Sequence, residues 1–356
     1  MLQLYVDLNK IKEVFEAWWN KSLDRPLIQI FSPKDMYIPS TLIDSYAFLR
    51  YYPDIDKALD MIFEDFSNII FWKEAFPNIF VNLGPGCLSA YLGAELKFDA
   101  HAGTAWFQGT FSLESLKEIT FNSENKWWKY TLKCIEKALS RCQDAVVAFP
   151  DLLDTATVVG QLRGNYPTTL LKDMFTNRLM IKKVLERVHD IWFKCYDTLC
   201  EVMNCSENGY STWAGLWSRS KHFVIQCDTI VYLSPKLFDD FIYPLIIEEC
   251  ERIPRTMWHL DGPLELNHLD KLLNVDELDA IQWIPGAGNP DAGNDCWVPL
   301  YKKILAKEKL LQIIVPSEKV LSILNKISPK GVAITAICKT EEEAANLIRE
   351  LELKFK

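Results

Sequence analysis

Arg255-Thr-Met-Trp-His-Leu-Asp-Gly-Pro-Leu264 is a short apolar run that ends in a histidine, an aspartate and a Gly-Pro turn. An apolar run of this length bounded by Gly and Pro is typical of a fully buried strand. Because strand side chains repeat every two residues, His259 and Asp261 are expected to point to the same side. In a parallel α/β sheet, ligands bind at the carboxyl ends of the strands. The stretch therefore predicts a buried strand that carries two polar side chains to a binding site.

The rest of the chain supplies further strands for such a sheet. Apolar runs alternate with helical patterns and lie at residues 26–33, 76–83, 145–151, 209–217, 223–226, 280–288, 310–315 and 332–337. Sustained alternation of this kind favours a parallel sheet covered by helices. We predict an α/β fold in which residues 1–356 form a single domain, a closed (β/α)8 TIM-type barrel. An open doubly wound sheet is the alternative, although Gly84-Pro-Gly86 lacks the third glycine of a dinucleotide-binding fingerprint.

Two segments add to the predicted barrel. Helical spacing of apolar residues over 10–23 predicts an N-terminal helical extension. Residues 95–109 alternate and are rich in aromatic residues and glycine, which predicts an inserted hairpin. Between the first two apolar runs, a second helix is predicted over residues 55–72.

Composition and charge restrict the class of partner. Lys and Arg total 39 against 48 Asp and Glu, a net charge of −9, so nucleic acid and anionic membrane surfaces are not expected. The chain has neither a basic, apolar leader nor an uncharged apolar run of about eighteen residues, so we expect a cytoplasmic protein. The 10 cysteines form no CxxC pair and are expected to be reduced.

Several polar residues fall at the carboxyl ends of the predicted strands: Asp151, Asp228, His259, Asp261, Gln282, Asn289 and Cys338. Barrel enzymes collect catalytic groups from the ends of different strands in this way. Asp151 and Asp228 could equally cap the helices that follow them.

His259, Asp261 and Cys338 together offer the three ligand types that zinc takes: imidazole nitrogen, carboxylate oxygen and thiolate sulfur. Two ligands from one strand and a third from another could close around one ion. Alternatively, His259 hydrogen-bonds to Asp261 and Cys338 belongs to the core.

A longer stretch resembles a known family. Gln226-Cys-Asp-Thr-Ile-Val-Tyr-Leu followed by Ser234-Pro-Lys-Leu-Phe-Asp-Asp-Phe-Ile-Tyr-Pro244 resembles a segment of the uroporphyrinogen decarboxylase superfamily. There, an aspartate-bearing strand end precedes a Ser-Pro-x-x-Phe-x-x-Phe-x-x-Pro helix. His259-Leu-Asp-Gly262, His268-Leu-Asp and Leu278-Asp-Ala-Ile281 resemble its next two units. The resemblance covers roughly residues 140–356 and implies a (β/α)8 barrel.

The two branches of this superfamily imply different chemistry. The true decarboxylases carry an Arg-Gln-Ala-Gly-Arg-Tyr motif after the first strand, whereas this chain has Phe31-Ser-Pro-Lys-Asp-Met-Tyr37, without arginine. A polyanionic porphyrinogen would then lack its paired cations. The cobalamin-linked methyltransferases bind zinc through a His-x-Cys, which His259 begins, and a later cysteine that Cys338 matches. Asp261 stands where that branch has its first cysteine.

The resemblance favours zinc-dependent methyl transfer between a corrinoid or small methylated compound and a thiol-type acceptor. Zinc on His259, Asp261 and Cys338 would lower the pKa of the acceptor, and Asp228 would take part in catalysis. The residues expected to bind or surround the small-molecule substrate are Asp151, Gln226, Trp217, Gln282, Trp283 and Asn289. A corrinoid protein is the expected partner, and a homodimer is a further expectation. The alternatives are a metal-free decarboxylase-like lyase acting on a small carboxylated substrate, and a non-catalytic tetrapyrrole or corrinoid binder.

Overall fold

The computed structural model describes residues 7–34, 44–141 and 144–355. These residues form an α/β fold with a mostly parallel central sheet. Its strands are β1 (Leu27–Pro33), β2 (Ile69–Lys73), β3 (Asn78–Phe80), β4 (Glu95–Asp99), β5 (Thr104–Gln108), β6 (Val146–Ala148), β7 (Tyr210–Ser211), β8 (Trp217–Ser218), β9 (His222–Ile225), β10 (Arg255–Asp261), β11 (Leu278–Ile284), β12 (Leu310–Ile314) and β13 (Val332–Ile337).

The main sheet has seven strands in the order β2-β1-β13-β12-β11-β10-β9. Its neighbouring strands are parallel except for β1 and β2, which are antiparallel. A second parallel pair joins β3 to β6. Just past β6, the backbone N–H of Phe149 donates to Ser211 O in β7 at 2.9 Å. The first parallel strand of the chain thus lies beside the last one, and each strand from β9 to β12 lies beside the next strand along the chain.

Helices connect and cover these strands. They are α1 (Leu8–Trp19), α2 (Ala47–Arg50), α3 (Ile55–Ser67), α4 (Cys87–Tyr91), α5 (Leu113–Lys117), α6 (Lys126–Arg141), α7 (Thr155–Arg163), α8 (Thr168–Thr176), α9 (Arg178–Val202), α10 (Cys205–Asn208), α11 (Pro235–Phe241), α12 (Tyr243–Arg252), α13 (Leu269–Leu273), α14 (Val298–Ala306), α15 (Val320–Leu324) and α16 (Glu341–Lys354). Of the helices in the described part of the chain, none combines the length and the apolar character needed to span a bilayer.

The two faces of the main sheet bury different cores. One face, which we call the inner face, carries a small core in which strand residues pack with Phe15, Trp18 and Trp19 of α1: Leu27, Val224, Met257, Ala280, Leu310 and Ala333. The opposite face, the helix face, carries alternate residues that pack in the large core with the helices, such as Trp258, Ile281, Leu311 and Ile334. Helix α1 therefore closes the amino end of the inner face.

Most predicted strands are observed, and two segments differ from the prediction. The helix predicted over residues 55–72 ends at Ser67, and residues 69–73 instead form β2 against β1. The single strand predicted over residues 209–217 is wrong, because Tyr210 and Ser211 pair antiparallel with Ser218 and Trp217. The turn between them uses Gly215, whose φ of 71° is a left-handed conformation that suits glycine. The hairpin predicted over residues 95–109 is confirmed by the antiparallel pairing of β4 and β5.

Candidate active site at the carboxyl edge of the sheet

A layer of polar side chains lies directly above the small core on the inner face. Each member follows a small-core residue by two positions, along its strand or, for Gln226, just past the end of β9, as strand alternation predicts. The members are Gln29, Gln226, His259, Gln282, Gln312 and Thr335. Gln29, Gln282 and Gln312 are almost fully buried, so their amides need partners within the protein.

Those partners form two short hydrogen-bonded chains. Gln282 Nε2 donates to Gln312 Oε1 at 2.8 Å, and Gln312 Nε2 donates to the backbone oxygen of Ala214 at 2.9 Å. Gln29 Nε2 donates to the backbone oxygen of Gly215 at 2.9 Å. The turn between β7 and β8 therefore anchors the polar layer through its backbone carbonyls.

Two residues further along the chain lies a third layer, at the carboxyl edge of the sheet. It contains Asp261, Ile284, Ile314 and Ile337, with Asp228 beside them at the start of a 3-10 helix that follows β9, and we call this region the mouth. Ile314 and Ile337 are 44% and 52% exposed, which is unusual for isoleucine. The mouth thus has an acidic wall, formed by Asp228 after β9 and Asp261 at the end of β10, and an apolar wall from β12 and β13.

Asp228 is the central acid of the mouth. Its side chain is exposed to solvent, yet protein atoms lie close around much of it. This desolvation, together with the negative charges of Asp154, Asp151 and Asp261, raises its pKa from 3.8 to about 7. Asp228 therefore exchanges its proton near neutral pH, as a general acid or base must.

Asp151 and Asp154 form the buried side of the acidic wall. Burial raises the pKa of Asp151 to about 6, although Gln226 Nε2 and Leu153 N each donate to its carboxylate at 2.9 Å. Asp154 caps α7 by accepting from the backbone N–H of Thr157 at 2.8 Å. The helix cap that the sequence allowed for Asp151 is thus provided by Asp154.

Glu265 is an acid of this cluster that sequence reasoning missed. It is 2% exposed, and Trp258 Nε1 donates to its Oε2 at 3.4 Å. Burial raises its pKa to about 9, and the charges of Asp228 and Asp261 act in the same direction. Glu265 is therefore protonated at neutral pH. Its position in the turn after β10 gave no signal that it would be buried.

His259 lies between the polar layer and the mouth. Its Nδ1 is 2.6 Å from Gln282 Oε1, and its Nε2 is 4.0 Å from Asp261 Oδ2. The rings of Trp213 and His259 pack nearly perpendicular to each other, with centroids 4.9 Å apart. Burial lowers the pKa of His259, while the hydrogen bond to Gln282 and the charge of Asp261 oppose the shift. The imidazole is therefore neutral at neutral pH.

Cys338 does not lie with His259 and Asp261. It follows Ala336 on the helix face and packs in the large core, where Ser317 and Glu343 are its polar neighbours. Burial raises the pKa of its thiol to about 11, and the charge of Glu343 adds to the shift. Within residues 7–34, 44–141 and 144–355, no three His, Cys, Asp or Glu side chains are grouped so that they could hold a metal ion. The donor set predicted for zinc does not fit this arrangement.

The remaining predicted substrate residues are distributed over three places. Trp217 belongs to the small core beside α1, at the opposite end of the strands from the mouth. Trp283 is fully buried on the helix face against Trp297, with ring centroids 4.8 Å apart. Asn289 is exposed in the loop after β11 and lies near the mouth, since it and Asp261 both flank Gly286. Gln226 and Gln282 belong to the polar layer beneath the mouth.

A cavity of about 530 Å³ elsewhere is a weaker candidate. It lies between α1, β1, β2 and α16, on the amino side of β1 and away from the mouth. Four of its charged groups are already paired, Arg25 with Glu74 and Lys73 with Glu352. The mouth carries the titratable groups that chemistry requires, so we place the candidate active site there.

Comparisons with known proteins add no further assignment. The sequence matches no protein-family model, and no curated protein matches it. Residues 35–37, which belong to the segment set against the arginine motif of the decarboxylases, lie outside the described residues.

Proposed function

We propose that the sheet closes into a (β/α)8 barrel whose open end is the mouth. The parallel neighbours β1 and β13, the parallel pair β3–β6 and the hydrogen bond from Phe149 to Ser211 support this closure. The polar layer and the small core would then be two successive interior layers of one barrel.

We propose further that the protein is a metal-free carboxy-lyase that acts on a small ring carboxylic acid in the mouth. The observation that supports this proposal most is the pKa of about 7 of Asp228, whose side chain is exposed to solvent at the carboxyl edge of the sheet. A carboxyl group that is substantially protonated at neutral pH can donate to a substrate. The apolar wall of Ile314 and Ile337 suits the flat, apolar body of an aromatic or heteroaromatic ring.

The proposed step has a simple balance of atoms and electrons. Asp228 first delivers its proton to the ring carbon that bears the carboxylate, and a π electron pair of the ring forms the new C–H bond. The bond between that carbon and the carboxylate carbon then breaks, its electron pair returns to the ring and restores aromaticity, and CO2 leaves. A proton from water finally restores the acid form of Asp228. Glu265, which is protonated, keeps one negative charge out of the cluster and so limits repulsion of an anionic substrate.

Zinc-dependent methyl transfer is less well supported. It needs a thiolate beside His259, and Cys338 lies on the other face of its strand with a pKa of about 11. The corrinoid partner, the homodimer and the cytoplasmic location remain predictions from the sequence.

The proposal is tested with three carboxyl-labelled probes: pyrrole-2-carboxylate, indole-3-carboxylate and 4-hydroxybenzoate. We expect release of labelled CO2 from at least one probe by the metal-depleted wild type. Asp228→Asn should reduce the rate by about 100-fold or more, the usual contribution of a positioned general acid. The variants Cys338→Ser and Asp24→Asn should keep it, since Cys338 is on the helix face and Asp24 is 91% exposed beside Lys330.

Two results would overturn the carboxy-lyase proposal. The first is the absence of CO2 release from all three probes at stoichiometric protein concentration. The second is turnover that survives Asp228→Asn but requires both stoichiometric zinc and Cys338.

A further inference from the structure

The hydrogen-bonded chain beneath His259 has a fixed direction. It ends on the backbone oxygen of Ala214, which can only accept, so the nitrogen of the Gln312 amide must face it. The oxygen of that amide then faces Gln282 and accepts from its nitrogen. One backbone carbonyl therefore orients two buried amides in succession.

The orientation of the Gln282 amide also determines which nitrogen of the imidazole carries the proton. Because the Gln282 nitrogen is used towards Gln312, its oxygen faces His259 Nδ1 at 2.6 Å. An amide oxygen can only accept, so Nδ1 must carry the proton. In the neutral imidazole, Nε2 is then left with a lone pair, and this nitrogen lies on the side of Asp261 and the mouth.

We propose that Gln312 and Gln282 are positioning residues that hold His259 in the Nδ1–H tautomer and so present the Nε2 lone pair to the mouth. A substrate N–H or O–H could donate to this nitrogen, or lose a proton to it. The tautomer itself does not depend on the proposed lyase activity, which would only decide how Nε2 is used.

Gln29 provides a matched control within the same layer. It is as buried as Gln312, and its Nε2 likewise donates to a backbone carbonyl of the β7–β8 turn, that of Gly215. Its oxygen accepts from Thr335 Oγ1 at 3.1 Å rather than leading to the imidazole. A change at Gln29 therefore disturbs the packing of the layer and the turn without reorienting His259.

The test is nitrogen NMR of the imidazole in the full chain, with His259 assigned by comparison with His259→Gln. Two-bond proton–nitrogen correlation distinguishes a protonated ring nitrogen from one that carries a lone pair. In the wild type above the imidazole pKa, we expect Nδ1 at the protonated position and Nε2 at the lone-pair position. Gln312→Leu and Gln282→Leu should move both signals towards intermediate positions, because the two tautomers then interconvert.

The comparison variants separate tautomer control from general disruption. Gln282→Glu should keep the wild-type pattern, since a buried, protonated carboxyl group can donate its O–H to Gln312 Oε1 and accept from Nδ1 through its other oxygen, as the amide does. Gln29→Leu should also leave it unchanged. A wild-type spectrum with the proton on Nε2 would overturn the proposal, whether or not any variant folds. Equal signal shifts in Gln29→Leu and Gln312→Leu would also contradict it.

Discussion

Replacing Asp228 with asparagine should stabilise the protein at alkaline pH while removing its proposed acid. Folding raises the pKa of this carboxyl from 3.8 to about 7, so the folded protein binds the proton more tightly than the unfolded chain. The stability that the proton confers is complete below about pH 4 and is lost as the pH rises through about 7. Asparagine stays neutral and avoids this loss.

The size of the effect follows from the shift. A change of about 3 pKa units corresponds to about 4 kcal/mol if the full shift acts on folding. Because solvent reaches the Asp228 side chain, screening reduces this, and we expect a gain of about 1–2 kcal/mol. The gain should grow between about pH 4 and pH 7 and stay constant above that range.

Urea denaturation of wild type and Asp228→Asn across this pH range measures the gain. Asp24→Asn is the control: its carboxyl is 91% exposed, so its effect should stay within a few tenths of a kcal/mol at every pH. A gain that is independent of pH, or a loss of stability at about pH 8, would refute the raised pKa of Asp228.

Three further predictions concern other parts of the molecule. Trp18→Ala should lower the free energy of unfolding by about 3–5 kcal/mol in calorimetry or urea denaturation because Trp18 is fully buried, whereas Trp106→Ala, at 64% exposed, should change it by about 0.5 kcal/mol or less. Gln226→Leu should raise the pKa of Asp151 above about 6 in a carboxyl NMR titration, because it removes a donor to the carboxylate; an unchanged value would exclude that hydrogen bond. Glu265→Gln should raise the urea midpoint increasingly between about pH 4.5 and pH 9, since the folded-state pKa of this carboxyl is raised to about 9; a constant difference would contradict its burial as an acid.

The sequence predicted the long strands well and the short ones poorly. Apolar runs bounded by Gly or Pro correspond to β1, β10, β11, β12 and β13. These strands are largely buried on both faces, and each is hydrogen-bonded to a strand on either side. The run over residues 76–83 forms only the short strand Asn78–Phe80, and the run over residues 145–151 forms only Val146–Ala148. Apolar composition predicts that a segment is buried, but it does not predict how many of its residues pair with a neighbouring strand.

Which side chains share a face was predictable only in part. The spacing of His259 and Asp261 places both on one face, as predicted. The strand that precedes Cys338 is Val-Ala-Ile-Thr-Ala-Ile, whose residues are mostly buried on both faces, so its sequence does not reveal which face meets the helices. The inner-face positions of Gln29 and Gln312 could have been found, because each follows an apolar strand residue by two positions.

The acidity of the candidate site could not have been read from the sequence. Asp151 and Asp228 were identified as strand-end carboxylates, but their raised pKa values come from residues distant in the chain that fold around them. Glu265 owes its neutral state to burial beside Trp258, which no local pattern indicates. Residue types and their spacing identify candidate acids, whereas the pKa of each acid depends on the residues that surround it in the folded protein.

As a general acid of the mouth, Asp228 must exchange its proton near neutral pH. Carbon NMR titration of the protein labelled at the aspartate carboxyl carbons measures this exchange, with the Asp228 signal assigned as the one that Asp228→Asn removes. We predict a midpoint of about 7 for that signal. A midpoint near that of an ordinary aspartate, about 4, would contradict the account.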